Sequence, residues 1–513
     1  MHTRRFLTIA AFFALVAIAR AEVTCATIFS DHMVLQRERP VAIWGQAAPD
    51  EQVTVEFAGQ TKTSKTSAAG TWRVDLAAMP VSKESRTLTV RGTNTLTFSD
   101  VLVGEVWFCS GQSNMEKQLG PRKGQKPTDN YEEAIRQANH PLLRLYQVPH
   151  YSKPSDKILG LHWVACTSET VAATEFSAAA YYFGDELLRA LDVPIGLIHS
   201  SYGGTRIEAW LPDSTFEYPD FKNLPGGPND QSFKDVAATK LYDSMVAPYL
   251  PYTLRGFIWY QGESNLMAGD TTIYTMKLRT LIETWRANFS APDAPFYYVL
   301  LAPFRYSPRD KDHAHLTAEA LPLFWEAQTN VAPKVPHTGF VSTTDIMSNV
   351  KDIHPTNKRD VGLRLAHLAL ADTYGKSDLV ARGPRYATMR VVKNEIEITF
   401  SDIAQGLKSR DEKPLDSFSI AGADNQFIPA SAVIRGNTVI VSNPTIEEPF
   451  AVRFGWTETA NPNLVNSAGL PAIPFRTDDW SVIVERPAPP PAPPSPAPAT
   501  TTEPAPTPKQ PSS

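Results

Sequence analysis

Val101-Leu102-Val103-Gly104-Glu105-Val106-Trp107-Phe108-Cys109 is a nearly unbroken apolar run, and Gly111-Gln112-Ser113-Asn114-Met115 follows it at once. A short apolar run bounded by Gly and Ser reads as a strand buried on both faces, as in a parallel sheet. Downstream, similar runs alternate with helical periodicity. Ser177 is placed to cap a helix through Leu191 that Pro194 ends, and Ile195–His199 reads as the next strand. Leu254–Tyr260 is another strand, followed by a helix near Ile273–Phe289 and a strand at Phe296–Leu301. After Gly339–Thr343, Asn357 is placed to cap a last helix with Val361, Leu365 and Leu368 on one face. This alternation predicts a doubly wound, mostly parallel α/β/α domain over residues 104–376.

On either side the texture is different. Val53–Phe57, Thr71–Leu76 and Leu88–Val90 alternate apolar and polar positions between Gly, Asn, Asp and Pro, which predicts an N-terminal β-sandwich over residues 22–103. Ile396, Ile398 and Phe400 alternate, as do Val439 and Val441, so residues 377–485 are expected to form a C-terminal β-rich unit. At the start, Arg4 and Arg5 precede an apolar run from Phe6 to Ile18, and Ala19-Arg20-Ala21 offers small residues for cleavage. Residues 1–21 therefore read as a signal peptide, and the protein is expected to be exported, periplasmic or extracellular. Residues 486–513 are dominated by Pro, Ala, Ser and Thr and are expected to be a disordered tail. Elsewhere no apolar stretch of about 20 residues occurs, so no membrane association is expected after signal cleavage.

The chain has 513 residues, 42% hydrophobic and 20% charged, with a net charge of −5. There is no basic surplus to suggest a nucleic-acid partner. Cys25, Cys109 and Cys166 permit one disulfide with one thiol left over, and the sequence does not choose the pair. His313 and His315 have the spacing of a metal pair but lack a third ligand at sensible distance, so no metal or other cofactor is expected.

In a doubly wound sheet, ligands bind at the carboxyl ends of the strands, where loops converge. Ser113 stands in a tight turn after the first strand, suited to a nucleophile and equally to an ordinary turn. Ser201-Tyr202-Gly203-Gly204-Thr205 follows the next; paired glycines leave backbone N–H groups bare, as an oxyanion hole requires. Gln261, in Trp259-Tyr260-Gln261-Gly262-Glu263-Ser264-Asn265, is an amide that can donate to a developing oxyanion without titrating. His354, in Asp352-Ile353-His354-Pro355, can take a serine proton and return it to a leaving alcohol. Asp352 could hold its other ring nitrogen. The order Ser, glycine pair, Gln, Asp-His, each at a strand end, points to acyl transfer.

These segments resemble the sialate O-acetylesterase family, within the wider SGNH-type hydrolases. The matching stretches are Gly104-Glu105-Val106-Trp107 through Gly111-Gln112-Ser113-Asn114-Met115-Glu116, Ser200–Thr205 with Glu208-Ala209-Trp210, Trp259–Ser264, and Asp352–Lys358. The opening Phe29–Gln36 and Val41–Gly45, and Pro474–Asp478 near the close, are also similar, so the resemblance spans about 26 to 480. It implies a flavodoxin-like SGNH catalytic domain and a cofactor-independent serine esterase acting on O-acetylated carbohydrate. Ser113 carries over as nucleophile and His354 as base, with the Ser113 amide, a glycine amide at Gly203 or Gly204, and the Gln261 side chain as oxyanion donors. Gln112, Arg206, Trp210 and Glu263 are expected to face the substrate, Arg206 toward a sialate carboxylate. Many SGNH enzymes place the acid three residues before the His, where this chain has Lys351. Asp352, Glu263, or a Ser-His dyad with no carboxylate thus remain open. Acetyl-xylan or another plant polysaccharide is the rival substrate, and a carbohydrate-binding protein with an inactive hydrolase domain is the rival class.

Overall fold

The structure, a computed structural model, describes residues 22–150, 162–218, 221, 236–307 and 316–480. The leader, the tail and the His313–His315 pair lie outside the described residues. The N-terminal strands are β1 (Thr24–Cys25), β2 (Val34–Gln36), β3 (Val41–Gln46), β4 (Gln52–Phe57), β5 (Gln60–Lys65), β6 (Thr71–Leu76), β7 (Ser82–Arg91) and β8 (Thr95–Gly111). β1, β3 and β6 form one sheet, while β4 pairs with β5 and β7, and β7 pairs with β8.

β8 joins this region to the rest of the protein. It runs for 17 residues, alternating partly exposed positions up to Asp100 and then fully buried from Val101 to Gly111. The sequence dictates this change: Thr95-Leu96-Thr97-Phe98 suits a sheet with one wet face, whereas the following apolar run suits one covered on both. Asp100, with a φ of 52°, marks the junction, and Arg144 Nη1 donates to its carboxylate at 2.6 Å. The expected boundary at 103/104 falls inside this continuous strand. One apolar core runs from Val53, Val55 and Trp72 through to Trp107, Phe108 and Leu197.

The remaining strands of the central sheet are β9 (His140–Gln147), β10 (Trp163–Cys166), β11 (Ile195–Ser201), β12 (Gly256–Tyr260), β13 (Phe296–Val299) and β14 (Thr338–Val341), in the order β10-β9-β11-β8-β12-β13-β14. Only β10 is antiparallel to its neighbour. Without the inserted β9 and β10, the sheet has the order of a flavodoxin-like fold, and β8 sits where the winding reverses. The helices used below are α1 (Ser113–Glu116), α2 (Ala178–Leu191), α3 (Glu263–Met267), α4 (Ile273–Asn288), α5 (Ala320–Thr329) and α6 (Lys358–Asp372).

Successive side chains of a strand point to opposite faces, so Trp107 and Phe108 report both sides of the sheet. Trp107 meets Phe183 of α2 at 5.1 Å between ring centroids, and Phe108 meets Trp285 of α4 at 5.6 Å. The sheet is therefore covered on both faces. Ser177 Oγ caps α2 by accepting the Ala180 amide at 3.1 Å, and Asn357 Oδ1 caps α6 by accepting the Asp360 amide at 3.1 Å. α6 lies against α2 where a Cβ on Gly362 would stand 2.7 Å from the Ala179 carbonyl oxygen.

The C-terminal region has sheets of its own over a separate core built on Ile396, Ile398, Phe418, Val439 and Phe454. Arg453 and Arg476 tie it to Glu319 and Glu326 at the start and middle of α5, at 3.1 and 2.8 Å. All three cysteines are unpaired.

β8 stops where it does because Gly111, at φ 147°, turns the chain against β12. A Cβ there would lie 2.1 Å from the Tyr260 carbonyl oxygen. Gly111→Ala is accordingly expected to destabilise the fold by at least about 2 kcal/mol, combining backbone strain with overpacking. Denaturant unfolding measures it, and an unchanged midpoint would contradict the close approach.

Candidate active site

Just beyond that turn, the Gln112 amide donates to the Tyr260 carbonyl at 3.0 Å, and the Gln112 carbonyl accepts the amides of Met115 and Glu116, both at 2.9 Å. These bonds make Ser113 the first residue of α1, where its amide has no intrahelical partner. Its hydroxyl is half-buried. His354 arrives from the loop between β14 and α6, and its Nε2 lies 2.8 Å from Ser113 Oγ, across 241 positions of sequence. The two side chains expected as nucleophile and base thus lie within hydrogen-bonding reach of each other.

Burial first, then the cations of Lys358 and Lys117, push the imidazole down to about 4 against the opposing pull of Asp352 and Glu116. The ring is neutral at neutral pH and can accept the serine proton on Nε2 with its hydrogen on Nδ1. Asp352 does not contact the ring. Its Oδ1 accepts the main-chain amide of His354 at 3.0 Å, and among the described residues no carboxylate bonds His354 Nδ1.

The glycine loop lies against Ser113. A Cβ on Gly203 would stand 3.2 Å from Ser113 Cβ and 2.8 Å from Glu116 Oε2. The Gly203 amide donates to that same Glu116 oxygen at 2.5 Å, while Arg122 Nη1 donates to Glu116 Oε1 at 2.7 Å. In this geometry the Gly203 N–H is engaged, a revision of the expected open donor. Gly204 is exposed at φ 74° with no atom within 4 Å of a would-be Cβ. Behind the loop, Ser201 Oγ bonds His199 Nε2 at 2.5 Å, and His199 Nδ1 bonds Gln147 Oε1 at 2.7 Å. Burial pushes His199 down to about 3, so this inner imidazole stays neutral.

Four further expectations are corrected. Gln261 is wholly buried, and its Nε2 faces three acceptors: Gln112 Oε1 at 3.2 Å, the Thr205 carbonyl at 3.1 Å and Asn265 Oδ1 at 2.7 Å. An amide has two hydrogens, so none is left over for an oxyanion. Gln261 braces the end of β12 against the glycine loop. Gln112 does not face the substrate either: its Oε1 accepts Gln261 Nε2 and the amides of Gly262 and Ser264, at 3.2 and 3.3 Å. Trp210 is at 0% exposure, edge-on to Trp259 at 5.9 Å, with Nε1 donating to Thr205 Oγ1 at 3.1 Å. Glu263 is at 1% exposure, its Oε1 accepting Asn114 Nδ2 at 2.6 Å. These side chains form the wall behind the site, held there by apolar packing and internal amide bonds. Only Arg206, half-buried between Gly204 and Ile207, keeps surface access among the residues expected to face substrate.

Sequence reasoning missed Asn114, Glu116 and Lys358, which belong to the polar network around Ser113 and His354. For Lys358 there was a signal. It lies in register with Val361, Leu365 and Leu368 on the apolar face of α6, and in the first turn, where the helix dipole disfavours a cation. Among the described residues no group of three or more His, Cys, Asp or Glu is arranged to hold a metal ion.

A family model described as carbohydrate esterase, sialic acid-specific acetylesterase matches residues 103–371. The human sialate O-acetylesterase is 29% identical over 493 residues, covering 88% of this chain and 91% of the human protein. The mouse sialate O-acetylesterase is 28% identical over 500 residues, covering 84% and 89%. The crystal structure of a carbohydrate acetylesterase from Xanthomonas citri superposes with a TM-score of 0.78 at 35% identity, covering 89% of this chain and 100% of that one.

If Trp210 is a wall residue, Trp210→Ala is expected to cost about 3–5 kcal/mol of stability, as for other large-to-small core changes. The denaturation midpoint checks this; a variant as stable as the parent would return the indole to the surface.

Proposed function

The chain belongs to the sialic acid-specific acetylesterase family of carbohydrate esterases and is a carboxylic ester hydrolase, and from that premise we propose that it removes O-acetyl groups from carbohydrate, sialate foremost, through Ser113 and His354. One observation carries the assignment: the 2.8 Å contact between Ser113 Oγ and His354 Nε2. Ser113 attacks the acetyl carbonyl as its proton passes to His354 Nε2. The oxyanion is assigned to the amides of Ser113 and Gly204, with Gln261 bracing the glycine loop from behind. His354 then protonates the departing sugar oxygen, and water repeats the sequence on the acetyl-enzyme.

In this reading the pair works as a Ser-His dyad, and Asp352 acts on the His354 main chain. Arg206, at the rim of the glycine loop, is assigned to an anionic sugar substituent. No helix among the described residues is long and apolar enough to cross a membrane. Export as a periplasmic or extracellular protein rests on the reading of residues 1–21.

Ser113→Ala is expected to lower turnover at least about a thousandfold, the scale of losing a triad nucleophile. Acetate release from O-acetylated sialate and from acetylated xylan, with Ser113→Ala as control, tests both chemistry and substrate; hydrolysis by the alanine variant would end the assignment. Asp352→Asn retains an oxygen for the His354 amide and is expected to cost less than about tenfold, against the roughly 10⁴-fold loss of a true triad acid. A loss of that larger size would restore Asp352 to the ring.

The active form of His354 is the neutral one. Lowering the pH through about 4 protonates it and removes the base. The acid limb of kcat/KM is therefore expected near pH 4, well below an ordinary histidine. A limb near pH 6.5 would show that burial and the neighbouring cations do not act on the free enzyme.

A further inference from the structure

Directly behind the reacting pair lies a polar cluster that the mechanism above does not use. Lys358 is at 1% exposure, its Nζ donating to Asn114 Oδ1 at 2.6 Å and standing 5.3 Å from the centre of the Tyr260 ring. Asn114, at 0% exposure, donates from Nδ2 to Glu263 Oε1 at 2.6 Å and to the Ile353 carbonyl at 3.0 Å. Glu263 Oε2 is buried with no hydrogen-bond partner. An ammonium and a carboxyl group taken out of water are costly, and the bonds they make here are few. Such a cluster would be poor as a device for stability alone.

Its connections explain its place. Asn114 follows Ser113 in the chain, Ile353 precedes His354, and Lys358 opens the helix that His354 leads into. One amide side chain therefore touches the turn of Ser113 and the loop of His354 together, and its two ends are gripped by the Lys358 ammonium and the Glu263 carboxyl group. We propose that Lys358, Asn114 and Glu263 form a buried positioning relay, in which the Asn114 amide, clamped between Glu263 and the Lys358 ammonium fixed behind it, holds Ser113 and His354 in register. The proposal rests on the roles of Ser113 and His354 given above.

The charged groups around His354 are Lys358 on α6, Lys117 beside α1, and the opposing Asp352 and Glu116. Burial first, then Lys117, lowers Lys358 to about 7 against the pull of Glu263 and Asp352. Lys358 thus carries its charge on the acid side of neutrality, where His354 most needs it. Removing that charge makes the imidazolium easier to form, so the acid limb moves to higher pH. A purely structural lysine would leave the limb in place.

The test uses the full chain, aryl acetate as substrate, and wild type with Ser113→Ala as references. Asn114→Ala and Lys358→Met are each expected to lower kcat by about 10- to 100-fold with KM within about threefold, the scale of a small misplacement of reacting groups. The double variant is expected to lose little more than the worse single one, because the residues act as a unit. Lys358→Met should move the acid limb of kcat/KM upward, whereas Lys358→Arg, which keeps the charge, should leave it near the wild-type position. Should Lys358→Met not fold, Asn114→Ala carries the test through its split between kcat and KM. Asn114→Ala and Lys358→Met variants that turn over like wild type would overturn the relay, as would additive losses or an unmoved limb. Activity retained by Ser113→Ala would instead overturn the underlying dyad.

Discussion

A main-chain hydrogen bond from Gln112 to the Tyr260 carbonyl, made possible by the missing side chain at Gly111, fixes where the longest strand ends and therefore where the site begins. Everything reactive is measured from that point. β8 is held in parallel register by β11 on one side and β12 on the other, with Gly111 opposite both Ser201 and Tyr260. The glycine loop and the Gln261 loop thus leave the sheet at the same level as Ser113. The reversal of winding at β8 opens the space between them. Since β8 also belongs to the N-terminal sheets and shares their core, those sheets hold the strand that presents Ser113.

Around this point the protein spends polar side chains on one another. Asn265 shows the pattern: its Oδ1 accepts Gln261 Nε2 and the Ile207 amide, while its Nδ2 donates to Glu208 and Asp270, whose carboxylates also bind the buried Lys277. Replacing water by fixed partners removes the reorganisation that a solvated loop would undergo as charge develops. The cost is desolvation, and it is offset only where every donor finds an acceptor. The Asn265 network meets that condition. Glu263 Oε2 does not, and neither do Trp259 Nε1, Tyr260 Oη and Ser110 Oγ nearby.

Much of this was legible in the sequence because local rules and tertiary demands agreed. Ser177 and Asn357 cap the helices they were expected to cap, and the buried strands carry continuous apolar runs. β9 and β10 were not legible. β9 carries Pro141 and Arg144 within a short stretch, and β10 is only four residues long, so neither period stands out. The strand-end positions of Ser113 and His354 could be read because each follows an apolar run that forms a strand of the central sheet. What could not be read was the direction of the amides and aromatics nearby. Gln112, Gln261 and Trp210 sit at the expected level, but motif spacing fixes the level of a residue and not the face to which its side chain turns. That choice is made by partners distant in sequence, such as Thr205 and Asn265.

Asp352 illustrates the same limit in the opposite direction, where the spacing did contain the answer. A carboxylate two residues before an amide closes a local turn by accepting that N–H, and no long-range packing is needed to form it. A carboxylate three residues before the histidine is free of that local competitor and can reach forward to the ring. In this chain the third position is Lys351, and Asp352 makes the local bond to the His354 amide. The histidine loop is thus tied at its main chain, while its ring bonds Ser113 in front and is kept unprotonated by burial first and by the cationic neighbours second. The proposed dyad would shift the work of aligning the base from a carboxylate on Nδ1 to the backbone on either side, held by Asp352 at the His354 amide and by Asn114 at the Ile353 carbonyl.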